Sequence, residues 1–377
     1  MKPGRVSAIT RKEFLHVLRD PRSLAMAIAM PVILLLIFGY ALTLDVDRVP
    51  LVVWDQSEST LSRDFLSRFA GSRYFAVRRH VGGYAEVERA IDTREAMLGL
   101  VLPRDFAGRI ESGRDVGVQL LVDGSDANTA TIALGYAEVV TQNFSQEIRL
   151  RAFARAGRPK PAPPLELRPR AWFNDDMQSR NYLVPGLIAV IMMILAALLT
   201  SLTVAREWER GTMEQLIATP VTGGELVLGK LLPYFVIGMI DVALAVGLGQ
   251  FLFQVPLRGS VLLVFLMGAV FLAGTQAMGL VISIVAKNQL MANQLAMVTT
   301  FVPSFLLSGL MFPISNMPQP LQVVTYFVPA RYFVTLMRGL YLKGVGLEVL
   351  AVEASLLVGF GALMVALANA RFRKKLP

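Results

Sequence analysis

The apolar positions of this chain fall into two patterns that hardly mix. Residues 24–44 make an uncharged run of about 21 residues, enough to cross a hydrocarbon core of roughly 30 Å at about 1.5 Å per residue. Runs of similar length recur at residues 182–204, 231–253, 260–285, 292–310 and 347–370. Between the first two of these, residues 45–181 change character: short β-branched or aromatic stretches at 50–54, 74–77, 96–102 and 116–122 read as strands with turn residues between them. Helical periodicity at 60–69, 84–91 and 128–154 alternates with those strands, so the segment predicts a small α/β sandwich, followed by a Pro-rich extended linker at 158–169. Residues 1–22 are different again. Val6, Ile9, Phe14, Val17 and Leu18 recur at roughly helical spacing among Lys2, Arg5, Arg11, Lys12, Arg19 and Arg22, the pattern of an amphipathic helix lying on a membrane surface.

Residues 311–346 are the ambiguous stretch. Residues 323–341 are apolar enough to imitate a seventh span, but they hold Pro329, Arg331 and Arg338. Arg371, Arg373, Lys374 and Lys375 call for the same side as the basic N-terminus, which requires an even number of spans. The expected fold is therefore a membrane all-α protein of six transmembrane helices, with an extracytoplasmic α/β domain inserted between spans one and two. The boundaries are 1–22 for the cytosolic amphipathic helix, 23–44 for the first span, 45–181 for the outer domain and 182–377 for the other five spans. Within the last, 205–230 is a cytosolic element and 311–346 a segment dipping into the outer leaflet.

Charge placement sharpens this. The chain has 377 residues, 54% hydrophobic and 17% charged, with a formal charge of +9. Residues 44–181 hold 19 Lys plus Arg against 19 Asp plus Glu, so the whole basic excess flanks the apolar runs. That is the distribution the positive-inside rule produces in a membrane protein with both termini cytosolic, and it argues against nucleic acid as a partner. There is no cysteine, and His16 and His80 have no ligand-like neighbours, so no metal or cofactor site is expected. Nor does a catalytic arrangement stand out. Asp123, Ser125 and Asp126 follow a strand, where a ligand site is the alternative to an ordinary turn.

The charged island at residues 204–230 carries the most local information. Gly211 can take the left-handed conformation that ends a helix, Thr212 and Gln215 form a candidate capping box, and Pro220 stops the short helix that follows. Thr222 and Glu225 form a second candidate box opening the next helix. Gly224, Gly229 and Lys230 imitate the start of a phosphate-binding loop, but Leu231 stands where Ser or Thr is required and no strand precedes it. Any energy from ATP must then enter through a partner. Two polar features lie within the spans. Asp241 sits about ten residues into the third, either as a hydrogen-bonded group holding helices together or as a functional ionisable group. Asn293, Thr300, Ser304 and Ser308 share one face of the fifth, beside Pro303, and either line a pathway or pack on another helix.

These pieces together resemble a membrane subunit of the ABC-2 family of transporters, whose fold is shared with type V exporters. The basic segment from Arg11 to Arg22 is similar to that family's connecting helix, and Asn181 to Gly186 opens the second span in its manner. The most specific match is Arg206, Glu207, Glu209, Arg210, Gly211, Thr212, Glu214, Leu216, Thr219 and Pro220, with Gly229 and Lys230 following. Gly309, Phe312 and Pro313, then Met317 and Pro318, then Pro329, Tyr332 and Phe333, resemble the loop before the family's last span. The outer domain resembles that of drug- and polymer-exporting subfamilies.

The resemblance implies a permease subunit of an ATP-driven exporter. Two such subunits, identical or different, would form the pathway, each seated on a separate ATP-binding subunit that holds ATP and Mg; this chain would hold no cofactor. Arg11, Phe14, Arg206, Glu207, Glu209, Arg210, Thr212, Glu214, Gln215 and Leu216 would couple to that subunit, and Asn293, Thr300, Ser304 and Ser308 would line the path. The outer domain would meet substrate or a periplasmic adaptor. Two alternatives are a proton-coupled secondary transporter using Asp241 and a membrane-anchored sensor or scaffold; the first lacks visible inverted halves, and the second has no need of six spans.

Overall fold

The computed structural model describes residues 2–42, 46–155, 172–174 and 178–372. The chain divides into two compact units, Met1–Thr43 with Arg170–Pro377, and Leu44–Pro169. The expected linker at 158–169 and the basic residues Arg373, Lys374 and Lys375 lie outside the described residues.

The first unit opens with α1 (Pro3–Arg19) and α2 (Pro21–Ala41). The second unit follows, as β1 (Val49–Asp55), α3 (Thr60–Ala70), β2 (Phe75–His80), α4 (Tyr84–Asp92), β3 (Leu98–Leu102), α5 (Phe106–Glu111), β4 (Gln119–Val122) and α6 (Ala127–Arg155). Its sheet has the order β2-β1-β3-β4, with β1 parallel to both neighbours and β4 antiparallel to β3. Side chains alternate across β1: Val49, Leu51 and Val53 meet Phe65 and Phe69 of α3 and Phe144 of α6, whereas Val52 meets Val87 and Ala90 of α4 on the other face. Helices cover both faces, so the central strands are buried on both sides. The expected strands and helices are all present; α5 was not anticipated.

The first unit resumes with α7 (Ser179–Glu209), α8 (Thr212–Ala218), α9 (Gly223–Gly247), α10 (Val261–Ala286) and α11 (Gln289–Leu307). Then come α12 (Gln319–Thr325), α13 (Pro329–Arg338) and α14 (Leu347–Arg371). Both α9 and α13 run on into a π turn, at Leu248–Leu252 and Gly339–Lys343. Five of these helices, α7, α9 with its π turn, α10, α11 and α14, are long and apolar enough to cross a membrane, and α2 adds a shorter apolar stretch at Ala27–Ala41. The imitation seventh span breaks in two, because Val328 is extended and Pro329 starts a fresh helix; neither seven-residue α12 nor ten-residue α13 could cross.

At the centre stands α7, with 83% of its apolar stretch buried. It packs against α2, α9, α10, α11 and α13, and Phe271 of α10 stacks on Phe333 of α13 at 4.2 Å beside it. By contrast only 22% of the apolar stretch of α11, and the same of α14, is buried within the chain.

Candidate functional site

The charged island folds as helix, turn, short helix, turn, helix. Gly211 ends α7 at φ +68°, a left-handed conformation that a side chain would strain. Pro220 follows α8, and Thr222 opens α9 with its hydroxyl accepting from the Glu225 amide while the Glu225 carboxylate accepts from the Thr222 amide at 2.8 Å. The second expected capping box is therefore formed. The first is not. Gly211 itself occupies the cap position of α8, and the Thr212 hydroxyl donates to the Glu207 carboxylate, a charged acceptor that outcompetes an amide partnership with Gln215.

Helix α1 lies against α9 where glycine allows it. A β-carbon at Gly229 would stand 2.7 Å from the Ile9 Cβ, so only a glycine lets the two backbones come this close. The contact brings Glu13 to Lys230. The Lys230 ammonium, 1% exposed, donates to the Glu13 carboxylate at 2.8 Å, to the Glu207 carboxylate at 3.3 Å and to the Thr203 carbonyl at 3.5 Å. Lys12 donates to the same Glu207 oxygen at 3.1 Å. Nearby, Glu225 accepts from the Lys2 amide at 2.7 Å and pairs with Arg5, whose guanidinium also donates to the Pro220 carbonyl. Two carboxylates and two ammonium groups thus bind α1, the end of α7, α8 and α9 into one piece. Removing Glu13 or Lys230, the two buried members, leaves an uncompensated charge, at a cost of about 3–5 kcal/mol.

Other expected site residues fall around this cluster. Glu209 accepts from the backbone amide of Gln289 at 2.8 Å and from its side-chain amide, which ties α7 to the start of α11. Ser283 of α10 accepts from the Val204 and Ala205 amides, at 2.9 Å each. Arg206 and Arg210 line a polar cavity of about 160 Å³ with Lys12, His16 and Tyr234. On α8, Glu214 and Gln215 are exposed, but Leu216 is half-buried against a core of Val204, Met213, Leu226 and Phe372. Arg11 and Phe14 stand apart from the ion cluster and line a groove against Leu232 of α9. Glu13 and Lys230 were not anticipated as partners, since they are 217 residues apart. The only signal was that Lys230 is a lone charge beside apolar neighbours.

The polar stripe of α11 divides. Thr300, Ser304 and Ser308 are buried, whereas Asn293 is exposed. Thr300 donates back to the Ala296 carbonyl at 2.7 Å, Ser304 donates to the Met193 sulfur of α7 at 2.9 Å, and Ser308 accepts from the Leu310 amide at 3.3 Å. In this conformation the stripe packs on α7. Asp241 is buried in α9 with one carboxylate oxygen unpartnered, and Gln276 of α10 likewise has a buried, unpartnered carbonyl oxygen. In the second unit, Asp123 accepts from the Ser125 amide, and Asp126 accepts from the Asn128 and Thr129 amides and the Thr129 hydroxyl. That is a turn followed by a helix cap, and the Thr129 hydroxyl holds the Asp126 carboxyl below the usual carboxylate range.

At the other end of α7, a second cation is half-buried and pairs with no carboxylate among the described residues. Arg338 donates to the carbonyls of Gly309 at 2.9 Å, Leu310 at 3.3 Å and Tyr182 at 3.3 Å, with its guanidinium 3.5 Å from the centre of the Tyr182 ring. The Tyr182 hydroxyl donates to the same Gly309 carbonyl at 3.2 Å.

Known proteins share this arrangement of segments along nearly the whole chain. The family model described as ABC-2 family transporter protein matches residues 21–369. The probable multidrug ABC transporter permease YbhS of Escherichia coli is 35% identical over 384 residues, covering 99% of this chain and 97% of its own. The probable multidrug ABC transporter permease YbhR of the same organism is 31% identical over 374 residues, with 98% and 99% covered. A more distant relative, ABC transporter G family member 20 of Dictyostelium discoideum, is 28% identical over 50% of this chain and 26% of its own. The chain belongs to the ABC-2 family of transporter proteins, and is an integral membrane member of it.

Proposed function

We propose that this chain is the membrane-spanning permease subunit of an ATP-driven exporter, working as a pair and driven by a separate ATP-binding subunit. The observation that carries the coupling is the buried Glu13–Lys230 pair with Glu207 and the more exposed Lys12 beside it, which joins α1, α7, α8 and α9 so that a push on one is passed to all. Exposed Glu214 and Gln215, with Arg210 beside them, form the contact surface offered to the ATP-binding subunit. Glu207, Glu209, Thr212 and Leu216 act behind that surface by holding α8 on α7, α11 and the apolar core. Arg206 works from the cavity wall.

In this reading both termini and α8 are cytosolic, six spans cross the bacterial inner membrane, the α/β unit is outside, and residues 311–346 dip into the outer leaflet. Two subunits meet across the sparsely covered α11 and α14, and Asn293, with Thr300, Ser304 and Ser308 after a rearrangement, borders the path. A periplasmic adaptor would dock on the outer unit. The printed names of YbhS and YbhR suggest drug-like cargo. The test is copurification of the ATP-binding subunit from membranes, together with ATP-dependent flux in proteoliposomes. Glu214→Arg with Gln215→Arg should abolish both; unchanged association would overturn the assignment of α8.

One observation favours a second reading. The unpartnered oxygen of buried Asp241 is the feature that a proton-coupled carrier needs. Flux without ATP that Asp241→Asn abolishes would establish that reading in place of the first.

A further inference from the structure

Most charges of α1 are spoken for. Lys12 pairs with Glu207, Arg5 with Glu225, and Glu13 with Lys230. Arg11 is different: it is exposed and makes no ion pair with any described residue. It stands on the rim of a groove of about 630 Å³ between α1 and α9, whose walls include Val6, Ser7, Thr10, Phe14 and Leu232. The Thr10 hydroxyl in that wall is buried and has no hydrogen-bond partner among the described residues. An arginine and a free hydroxyl are both donors, so the group that completes them must bring acceptor oxygens and a negative charge.

The groove does not end at the charged rim. Leu232 belongs also to a ridge on α9 made of Leu228, Leu232, Val236, Ile240 and Leu244, spaced four residues apart and 39–46% exposed. Residues at this spacing lie above one another on a helix, and here they continue the groove along a helix long and apolar enough to cross the membrane. A soluble protein docking on α1 would leave that ridge uncovered. A molecule with an anionic head and a long apolar tail covers both.

We propose that the groove between α1 and α9 is a binding site for an anionic phospholipid, with the phosphodiester on Arg11 and Thr10 and an acyl chain along the Leu232, Val236 and Ile240 ridge. The inference needs only that α9 crosses the bilayer, and it stands whether or not the transport cycle proposed above is right. Occupation would hold α1 on the membrane surface and thereby support Glu13 in its pairing with Lys230.

The test uses the full-length protein in nanodiscs and native mass spectrometry, with dioleoylphosphatidylglycerol and dioleoylphosphatidylcholine as competing probes. Phosphatidylglycerol should be retained in preference, and Arg11→Gln should lower that preference about fivefold, as expected for one basic residue at a membrane surface. Arg11→Lys, which keeps the charge, should retain most of it and shows that the site still folds. Leu232→Ser should weaken retention of both lipids, and inorganic phosphate should fail to displace either. Equal retention of the two lipids, or an equal loss with Arg19→Gln outside the groove, would overturn the proposal. So would displacement by inorganic phosphate with no effect of Leu232→Ser, which would make the site one for a free anion. Loss of the ATP-binding subunit in Arg11→Gln with the lipid preference intact would likewise overturn it, and give the groove to that protein.

Discussion

The two ends of α7 each hold a cation against the fold, Lys230 buried and Arg338 half-buried, and they satisfy it by opposite means. At one end Lys230 sits between the carboxylates of Glu13 and Glu207. At the other Arg338 pairs with no acid among the described residues and spreads its guanidinium over three backbone carbonyls and the ring of Tyr182. The choice of residue follows from the partners. An ammonium is a compact charge that suits carboxylates arriving from separate helices, whereas a planar fork with five donors can reach several fixed carbonyls at once. The first site joins side chains on movable helices. The second pins the backbone that follows α11, so that the segment at Gly309 and Leu310 is held to both α7 and α13.

The comparison breaks most visibly at Lys230. Lys230→Met leaves the buried Glu13 carboxylate without its cation, and should destabilise the protein by about 3–5 kcal/mol. The double variant with Glu13→Gln should recover a large part of this in thermal unfolding of the detergent-purified protein; a single variant that melts like the native chain would mean the cluster is solvated rather than buried. Arg338→Met comes next. Three carbonyls lose the guanidinium, although Gly309 keeps the Tyr182 hydroxyl, at about 1–3 kcal/mol, and hydrogen exchange should rise at residues 309–312. Arg338→Lys should restore little, because one ammonium cannot span the three oxygens; full restoration would erase the distinction drawn between the two ends.

Gly229→Ala tests how far the first site depends on the closeness of α1 and α9. The added methyl meets Ile9, and an overpacked contact of this kind costs about 1–3 kcal/mol. Its effect should be confined to α1, read as faster amide exchange there, with α7 unchanged. The smallest effect is expected at Tyr182. Tyr182→Phe removes only the bond to Gly309, about 0.5–1.5 kcal/mol, and the further step to Leu removes the ring under Arg338, about 0.5–1 kcal/mol more. A Phe variant as damaged as the Leu variant would show that the hydroxyl, not the ring, steadies the guanidinium.

What could be read from the sequence was whatever depends on neighbours along the chain. The long apolar runs, the four strands of the second unit, the left-handed turn at Gly211 and the cap at Thr222 with Glu225 all follow from local chemistry, and all are present. Helix α5 escaped because Phe106–Glu111 is too short to display a period. The cap expected at Thr212 failed for a reason visible only in three dimensions, the nearness of the Glu207 carboxylate. Residues 205–230 fold as the capped, charged element that their local chemistry calls for, yet its central pairing was illegible. Nothing in a string of residues says that Glu13 will meet Lys230, or that Leu216 turns into the core while Glu214 and Gln215 face out.

That pairing also sets an order of events in the making of the protein. Glu13 emerges from the ribosome 217 residues before Lys230, with the whole α/β unit in between. At about 5–20 residues per second it waits roughly ten to forty seconds for its counter-ion. During that interval α1 has no permanent seat, because Glu225 and Glu207, which pair with Arg5 and Lys12, also lie far down the chain. The helix that finishes as part of a rigid joint therefore begins unattached, and the newborn chain closes its cluster only when the third apolar helix arrives.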